Sequence, residues 1–201
     1  MNSSEILLEA DNGEVINIAL PSPSPSLKSF FLFSLHKAGS SLMTAMIRDY
    51  CQFVKLSTVD FPGEIFKVGQ TFKTIRPISS NVFSDTGYGY VGWRHFWPKD
   101  FSADLNKFNN ILLVRDPRDR IVSWYYSVAF SHPIPEKGPN SKRIESLREN
   151  AKSAEINDWI LTNPDRISFM VRALKNYHDN LPAKSTRVYR HEDIIFRKKE
   201  W

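Results

Sequence analysis

Phe30-Phe31-Leu32-Phe33-Ser34-Leu35-His36-Lys37-Ala38-Gly39-Ser40-Ser41 is the stretch on which the reading of the chain turns. Its first half is an unbroken apolar run, the pattern of a strand that a parallel sheet buries on both faces. A loop of small residues follows. Beyond it Leu42, Met43, Met46, Ile47 and Tyr50 gather on one helical face, with Arg48 and Asp49 turned to water. The unit is therefore strand, tight loop, helix. In the loop, Gly39 lets the backbone turn closely around an anion, toward which successive N–H groups and the helix start point. Ser40 and Ser41 add hydroxyl donors beside Ala38, and Lys37 adds a flexible positive charge for a phosphate or a leaving oxygen. In the ATP-binding Walker loop the lysine follows the second glycine and immediately precedes Ser or Thr. Here Lys37 precedes Gly39, the inverse order.

A second unit of the same kind runs from the strand Asn110–Val114 through Arg115-Asp116-Pro117-Arg118-Asp119 into Ile121–Tyr126. Asp116 is placed to cap that helix, with Pro117 at its first position. Arg115 and Ser123 lie eight residues apart, at a strand end and on the next helix. A guanidinium and a hydroxyl so spaced can converge on one phosphate, the guanidinium offering a fork of donors that a lysine lacks. The alternative makes Arg115 a strand-end partner of Asp116 or Asp119 and Ser123 a helix-surface residue.

Around these units, residues 54–93 are aromatic and irregular, with strands expected near 54–58 and 90–93. A loop from Ser131 to Asn140 leads to helices over 141–162 and 165–181, split at Asn163-Pro164, and to a strand at Thr186–Arg190. Alternating strands and helices predict an α/β domain with a mostly parallel sheet. Upstream, Ile6-Leu7-Leu8 and Val15–Leu20 flank Asp11-Asn12-Gly13, a hairpin pattern. The repeat Pro21-Ser22-Pro23-Ser24-Pro25-Ser26 lacks backbone donors at its prolines and reads as an extended linker. Residues 1–26 are thus an N-terminal extension and 27–201 the main domain.

At 201 residues and 41% hydrophobic composition the chain can bury a substantial core. Its 27 basic residues exceed 22 acidic ones, a formal +5 that favours anionic partners. The basic residues are scattered and no nucleic-acid-binding motif accompanies them, so a phosphorylated small molecule suffices and nucleic acid is not expected. Cys51, the one cysteine, excludes an intramolecular disulfide and argues against a Cys-based zinc site; its apolar neighbours predict a buried thiol. No apolar run reaches bilayer-spanning length, so no stable membrane insertion is expected. With the single cysteine, this reads as a cytoplasmic, soluble protein.

Lys37-Ala38-Gly39-Ser40-Ser41 resembles the Lys-Ser-Gly-Thr-Thr phosphosulfate loop of sulfotransferases that use 3′-phosphoadenosine-5′-phosphosulfate (PAPS), with Ala38, Ser40 and Ser41 as departures. The run from Leu112 to Tyr126 is similar to that family's 3′-phosphate motif, with Arg115 and Ser123 in its phosphate-binding positions. The resemblance covers residues 28–130 and implies a three-layer α/β domain of the P-loop nucleotide-binding type, helices on both faces of the sheet. It further implies sulfonate transfer from PAPS to a hydroxyl, less readily an amine, of a small-molecule or saccharide acceptor. Adenosine 3′,5′-bisphosphate is the other product, and no metal is needed.

In that scheme Lys37 meets the leaving oxygen, and His95, 20 residues before Arg115, resembles the family's strand-end histidine base. His36 is its main competitor, and either touches the ligands or shapes the turn. Leu42 stands where a tryptophan often packs on the adenine. His191, in Tyr189-Arg190-His191-Glu192-Asp193, stands where the family has the tyrosine of Tyr-Glu-Asp near the adenine. Glu192 and Asp193 equally suit a helix start. Tyr88, Tyr90, Trp93, Phe96 and Trp97 either line an acceptor pocket or fill the core. A Gly-rich basic segment usually follows in the family, and the 201 residues end at Trp201 before one. That fits a fragment, a lid from another chain, or a shortened variant. Two other functions share these features: a bisphosphate-nucleotide-binding module without catalysis, and a P-loop kinase using ATP. The sequence selects neither a particular acceptor nor an oligomeric state.

Overall fold

The computed structural model describes residues 5–70, 75–78, 82–94, 103–136 and 138–196. The chain begins with strands β1 (Glu5–Ala10), β2 (Val15–Ala19), β3 (Ser24–Lys28) and β4 (Phe30–Ser34), then helix α1 (Ser40–Phe53). Next come β5 (Ser57–Val59), α2 (Phe61–Lys67), β6 (Ile75–Pro77), β7 (Thr86–Arg94) and β8 (Asn109–Val114). Helix α3 (Pro117–Tyr126) runs into a π-helical turn, Ser127–Ser131, and is followed by α4 (Pro139–Lys152), α5 (Ile156–Leu161) and α6 (Pro164–Asn180). The last elements are β9 (Thr186–Arg190) and α7 (His191–Phe196).

The apolar run Phe30–Ser34 is the central strand, as its composition predicts. β4 pairs in parallel with β7 on one edge and β8 on the other, and the main sheet runs β3-β7-β4-β8-β9, with β5 also on β7. β3 is antiparallel to β7; the other pairings are parallel. The fold is thus α/β with a mixed, mostly parallel sheet. Phe31, at 0% exposure, meets Tyr90 at 4.9 Å, Phe108 at 4.8 Å and Phe83 at 5.2 Å between ring centroids. Tyr88, Tyr90 and Trp93 are buried in the same cluster, so these three fill the core. Phe96 and Trp97 lie outside the described residues. Cys51 is buried on α1, and burial pushes its thiol up to about 11.

The hairpin of β1 and β2 forms around Asp11–Gly13, and β6 adds a third strand on β1. Strict alternation buries Ile6, Leu8, Ala10, Ile16 and Ile18 in the core that also holds β4. The second half of the expected linker is the strand β3. Its partners are few, Ser24 on Gly87 and Lys28 on Thr86 with a shifted register, because Pro25 has no N–H to offer a ladder. Helix α1 also differs from expectation. Ser40, Met43, Thr44 and Cys51 form its buried side, with Ile47 half-buried, while Leu42, Met46, Tyr50 and Phe53 form an exposed row. Apolar residues occur on two faces of this helix, and periodicity alone could not choose between them. No described helix is long and apolar enough to cross a membrane.

The connection from β4 passes through α1 to β5 on the β7 side, whereas β8 leads through α3–α6 to β9 on the opposite side. Neighbouring strands whose connections diverge leave a crevice at their carboxyl ends, where α/β sheets bind ligands. The central strand's weight in this architecture is measurable. Phe31→Ala is expected to lower the unfolding free energy by about 3–5 kcal/mol in denaturant titration. Phe53→Ala, at a side chain 83% exposed, should stay within about 0.5 kcal/mol of the parent.

Candidate functional site

The sheet register brings the ends of four parallel strands level. Ser34 of β4 pairs with Arg94 of β7 and Leu113 of β8, and Val114 pairs with Arg190 of β9. The residues that follow, Leu35–Gly39, Arg115 and His191, therefore leave the sheet along one edge, with Arg94 beside them. Leu35 closes a turn by accepting from the Ala38 N–H at 3.1 Å, and Lys37 (φ 64°) and Gly39 (φ 85°) both take the left-handed conformation. For Lys37 that geometry costs about 1–2 kcal/mol. Gly39 is required for a second reason: a methyl group there would run into Nδ1 of His191.

Helix α1 starts directly after this turn. Gly39 gives it no side-chain cap, and its first turn carries no acidic residue. The first amides of the helix and its positive dipole end thus face the crevice without a competing carboxylate from that turn. From beneath, Arg115 Nη1 donates to the Lys37 carbonyl at 3.3 Å. Arg120 Nε donates to the His36 carbonyl at 3.0 Å. Arg120 is buried on α3, also reaches the Met170 carbonyl at 3.5 Å, and is lowered by burial to about 10, which leaves it charged at neutral pH. Glu192 Oε1 accepts from the Asp116 N–H at 3.0 Å, tying the start of α7 to that of α3.

Besides Arg120, three cations meet at this turn. Burial, then Arg94 and Arg115, hold the Lys37 amine below its ordinary value. Burial likewise lowers Arg94, against which Asp60 acts in the opposite sense, although Asp60 also bonds Arg48 at 2.8 Å. Arg94 Nη2 stands 3.5 Å from Ser41 Oγ. Arg115 Nη2 is 3.7 Å from Asp119, a loose contact with an exposed carboxylate. The Nε atoms of Arg94 and Arg115 are buried and have no hydrogen-bond partner among the described residues. Like charges crowded in a partly buried place repel, and an anion placed among them relieves the repulsion.

Of the residues singled out from sequence, Lys37, Ala38, Gly39, Ser40, Ser41 and Arg115 come together around the turn. Asp116 caps α3 through the Arg118 N–H at 2.8 Å, and its carboxylate pairs with Arg118 rather than Arg115, which holds it down at about 2. Ser123 is half-buried on α3, one turn beyond Asp119 on the same face. Leu42, 46% exposed, sits in the first turn of α1 at the rim. His191 packs on the turn, where burial and Arg115 lower its imidazole and the Ala38 backbone bonds it. His95 lies outside the described residues. Arg94 is the cation at this turn that sequence reasoning missed. Its signal was a basic residue at a strand end, whose place beside Ser34 depends on register. Among the described residues no group of three or more His, Cys, Asp and Glu could hold a metal ion. No family model, curated protein or solved structure matches the chain.

Gly39→Ala tests the turn. The variant should lose at least about 1–2 kcal/mol of stability through the left-handed backbone alone. Inorganic pyrophosphate should raise the parent's thermal midpoint and leave the variant's unchanged.

Proposed function

We propose that this chain is a P-loop-type sulfotransferase that moves a sulfonate group from PAPS to a hydroxyl of a small-molecule or saccharide acceptor. The observation that carries this reading is the convergence of Lys37, Arg94 and Arg115 at an uncapped helix start, with buried guanidinium N–H groups left over. PAPS is anionic at two ends of one ribose, and two sets of donors suit it. The amides of α1 with Lys37, Arg94 and Ser41 suit the phosphosulfate. Arg115 and Ser123 suit the 3′-phosphate, for which ATP has no counterpart. Lys37 ahead of Gly39 also separates this loop from the ATP-binding order.

Within this reading each side chain has a task. Lys37 neutralises the charge that grows on the bridging oxygen as its bond to sulfur breaks, a role whose loss typically costs about 100- to 1,000-fold in rate. Arg115 fixes the nucleotide, so that acceptor oxygen, sulfur and leaving oxygen can lie in line. Arg94 and Ser41 add donors on the sulfonate side. His95 is the sequence-based assignment for the base. The left-handed Lys37 fits a ligand clamp, where strained backbone tends to collect.

Labelled PAPS offered with a panel of phenols, alcohols and saccharides should pass sulfonate to at least one of them. Lys37→Ala should lower that transfer by about 100-fold or more. Arg115→Ala should weaken adenosine 3′,5′-bisphosphate binding by roughly 10- to 100-fold in calorimetry. Undiminished transfer by Lys37→Ala would contradict the assignment, and binding without any transfer would leave a nucleotide-binding module.

A further inference from the structure

Where α3 ends, the helix widens into the π-helical turn Ser127–Ser131, closed by the His132 N–H donating to Ser127 O at 2.6 Å. Such turns are rare and recur at functional sites because they re-aim the residues that follow. His132 is held from the other side as well: its carbonyl accepts from Arg148 Nη2, while Arg148 Nε donates to Val128 O at 3.1 Å. The segment is thus fixed against α4 at both ends of the turn.

This anchoring sets the imidazole between two rings. Its centroid is 6.4 Å from that of His36, the neighbour of Lys37, and 6.1 Å from that of Phe66 on α2, with interplanar angles of 29° and 27°. His36 in turn meets Trp124 edge-on at 5.2 Å. Nδ1 of His132 stands 3.1 Å from the Pro133 carbonyl. A carbonyl can only accept, so Nδ1 carries the hydrogen, and a neutral ring then keeps its lone pair on Nε2. Among the described residues, the charged and titratable groups facing it are Lys37 and His36 from the loop, Arg94 from β7, and Arg143 and Arg148 from α4. Burial foremost, and then Lys37, Arg94 and Arg143 against the opposing Pro133 bond, hold the ring below its ordinary value. The contrasting His178 is exposed and bonded to Asp179.

We propose that His132 Nε2 takes the proton from the acceptor hydroxyl, an assignment that rests on the sulfonate-transfer reading. The acceptor oxygen bonds to sulfur while the bond between sulfur and the bridging oxygen breaks. The electron pair of that bond leaves on the 5′-phosphate of adenosine 3′,5′-bisphosphate. The acceptor proton passes to Nε2 and then to water. Burial first, and then the cations around it, disfavour the protonated form of His132, and in this assignment Lys37 serves the leaving oxygen.

Nitrogen-15 NMR of the imidazoles of the whole chain, with and without adenosine 3′,5′-bisphosphate, tests this without any acceptor. His132→Gln identifies the resonance, and the expected state at pH 7 is neutral with hydrogen on Nδ1, titrating below pH 6.5. A charged ring at pH 7, or hydrogen on Nε2, overturns the assignment. In PAPS turnover with the hydroxyl panel, His132→Gln should lower kcat by about 100- to 10,000-fold. It should also abolish the fall in rate on the acid side and leave bisphosphate affinity within about twofold. A kcat within about threefold of the parent, or a fall shown by His95→Gln and not by His132→Gln, overturns it. A parent protein that binds no bisphosphate overturns the sulfonate-transfer reading and this assignment with it. Should His132→Gln not fold, single Gln substitutions at the other four of the five histidines, His36, His95, His178 and His191, assign the resonance by elimination, and the parent's protonation state then decides.

Discussion

Parallel pairing of Phe30–Ser34 on both of its edges is the constraint from which the rest follows. Because β7 and β8 run beside β4 in the same direction, their carboxyl ends finish level with Ser34. Arg94 and Arg115 are therefore delivered to the turn that holds Lys37. The burial of Phe31, Leu32 and Phe33 holds this register, since a slip by one residue would exchange the faces of the strand. The crevice between β4 and β8 then opens where the connections part. The site is thus a product of core packing and topology more than of any single motif.

That arrangement works against local stability. Lys37 occupies a left-handed conformation, Lys37, Arg94 and Arg115 share one partly buried corner, and three buried guanidinium nitrogens, Nε of Arg94 and Arg115 and Nη2 of Arg120, have no described partner. Each of these is unfavourable in the absence of an anion. The scaffold offsets them with bonds from Arg115 and Arg120 to the carbonyls of the turn, and with His191 packed on Gly39. Arg120 is notable because its buried charge serves the backbone of His36 and Met170 and faces no carboxylate in these bonds. A turn so held is pre-organised: the cost of shaping it is met in folding and need not be met on binding.

Much of this was legible in the sequence where local chemistry decides. The apolar runs gave β4 and β8, Thr186–Arg190 is β9 as read, and Asp116 with Pro117 starts α3 as capping rules require. The turn at Lys37–Ser41 was visible because glycine and small residues are needed there. Arg94 escaped because its role comes from a register that only pairing creates. The position of His132 beside His36 and Lys37 was not legible because the π-helical turn that precedes it is not encoded in hydropathy. Helix α1 presents apolar residues on two faces, and the packing of β5 and β7 chose Met43 and Cys51 over Leu42 and Met46. The strand β3 was hidden by its prolines. Helix α2 was hidden by the aromatic stretch around it.

The central claim is that the cations at these strand ends form a site for a nucleotide phosphorylated at the 3′ and 5′ positions. Calorimetry of the whole chain with adenosine 3′,5′-bisphosphate and with ATP, at one salt concentration, tests it most directly. The account predicts saturable binding of the bisphosphate at least about tenfold tighter than that of ATP, the scale of a charged hydrogen bond. Equal affinity for the two nucleotides, or tighter binding of ATP, would contradict it.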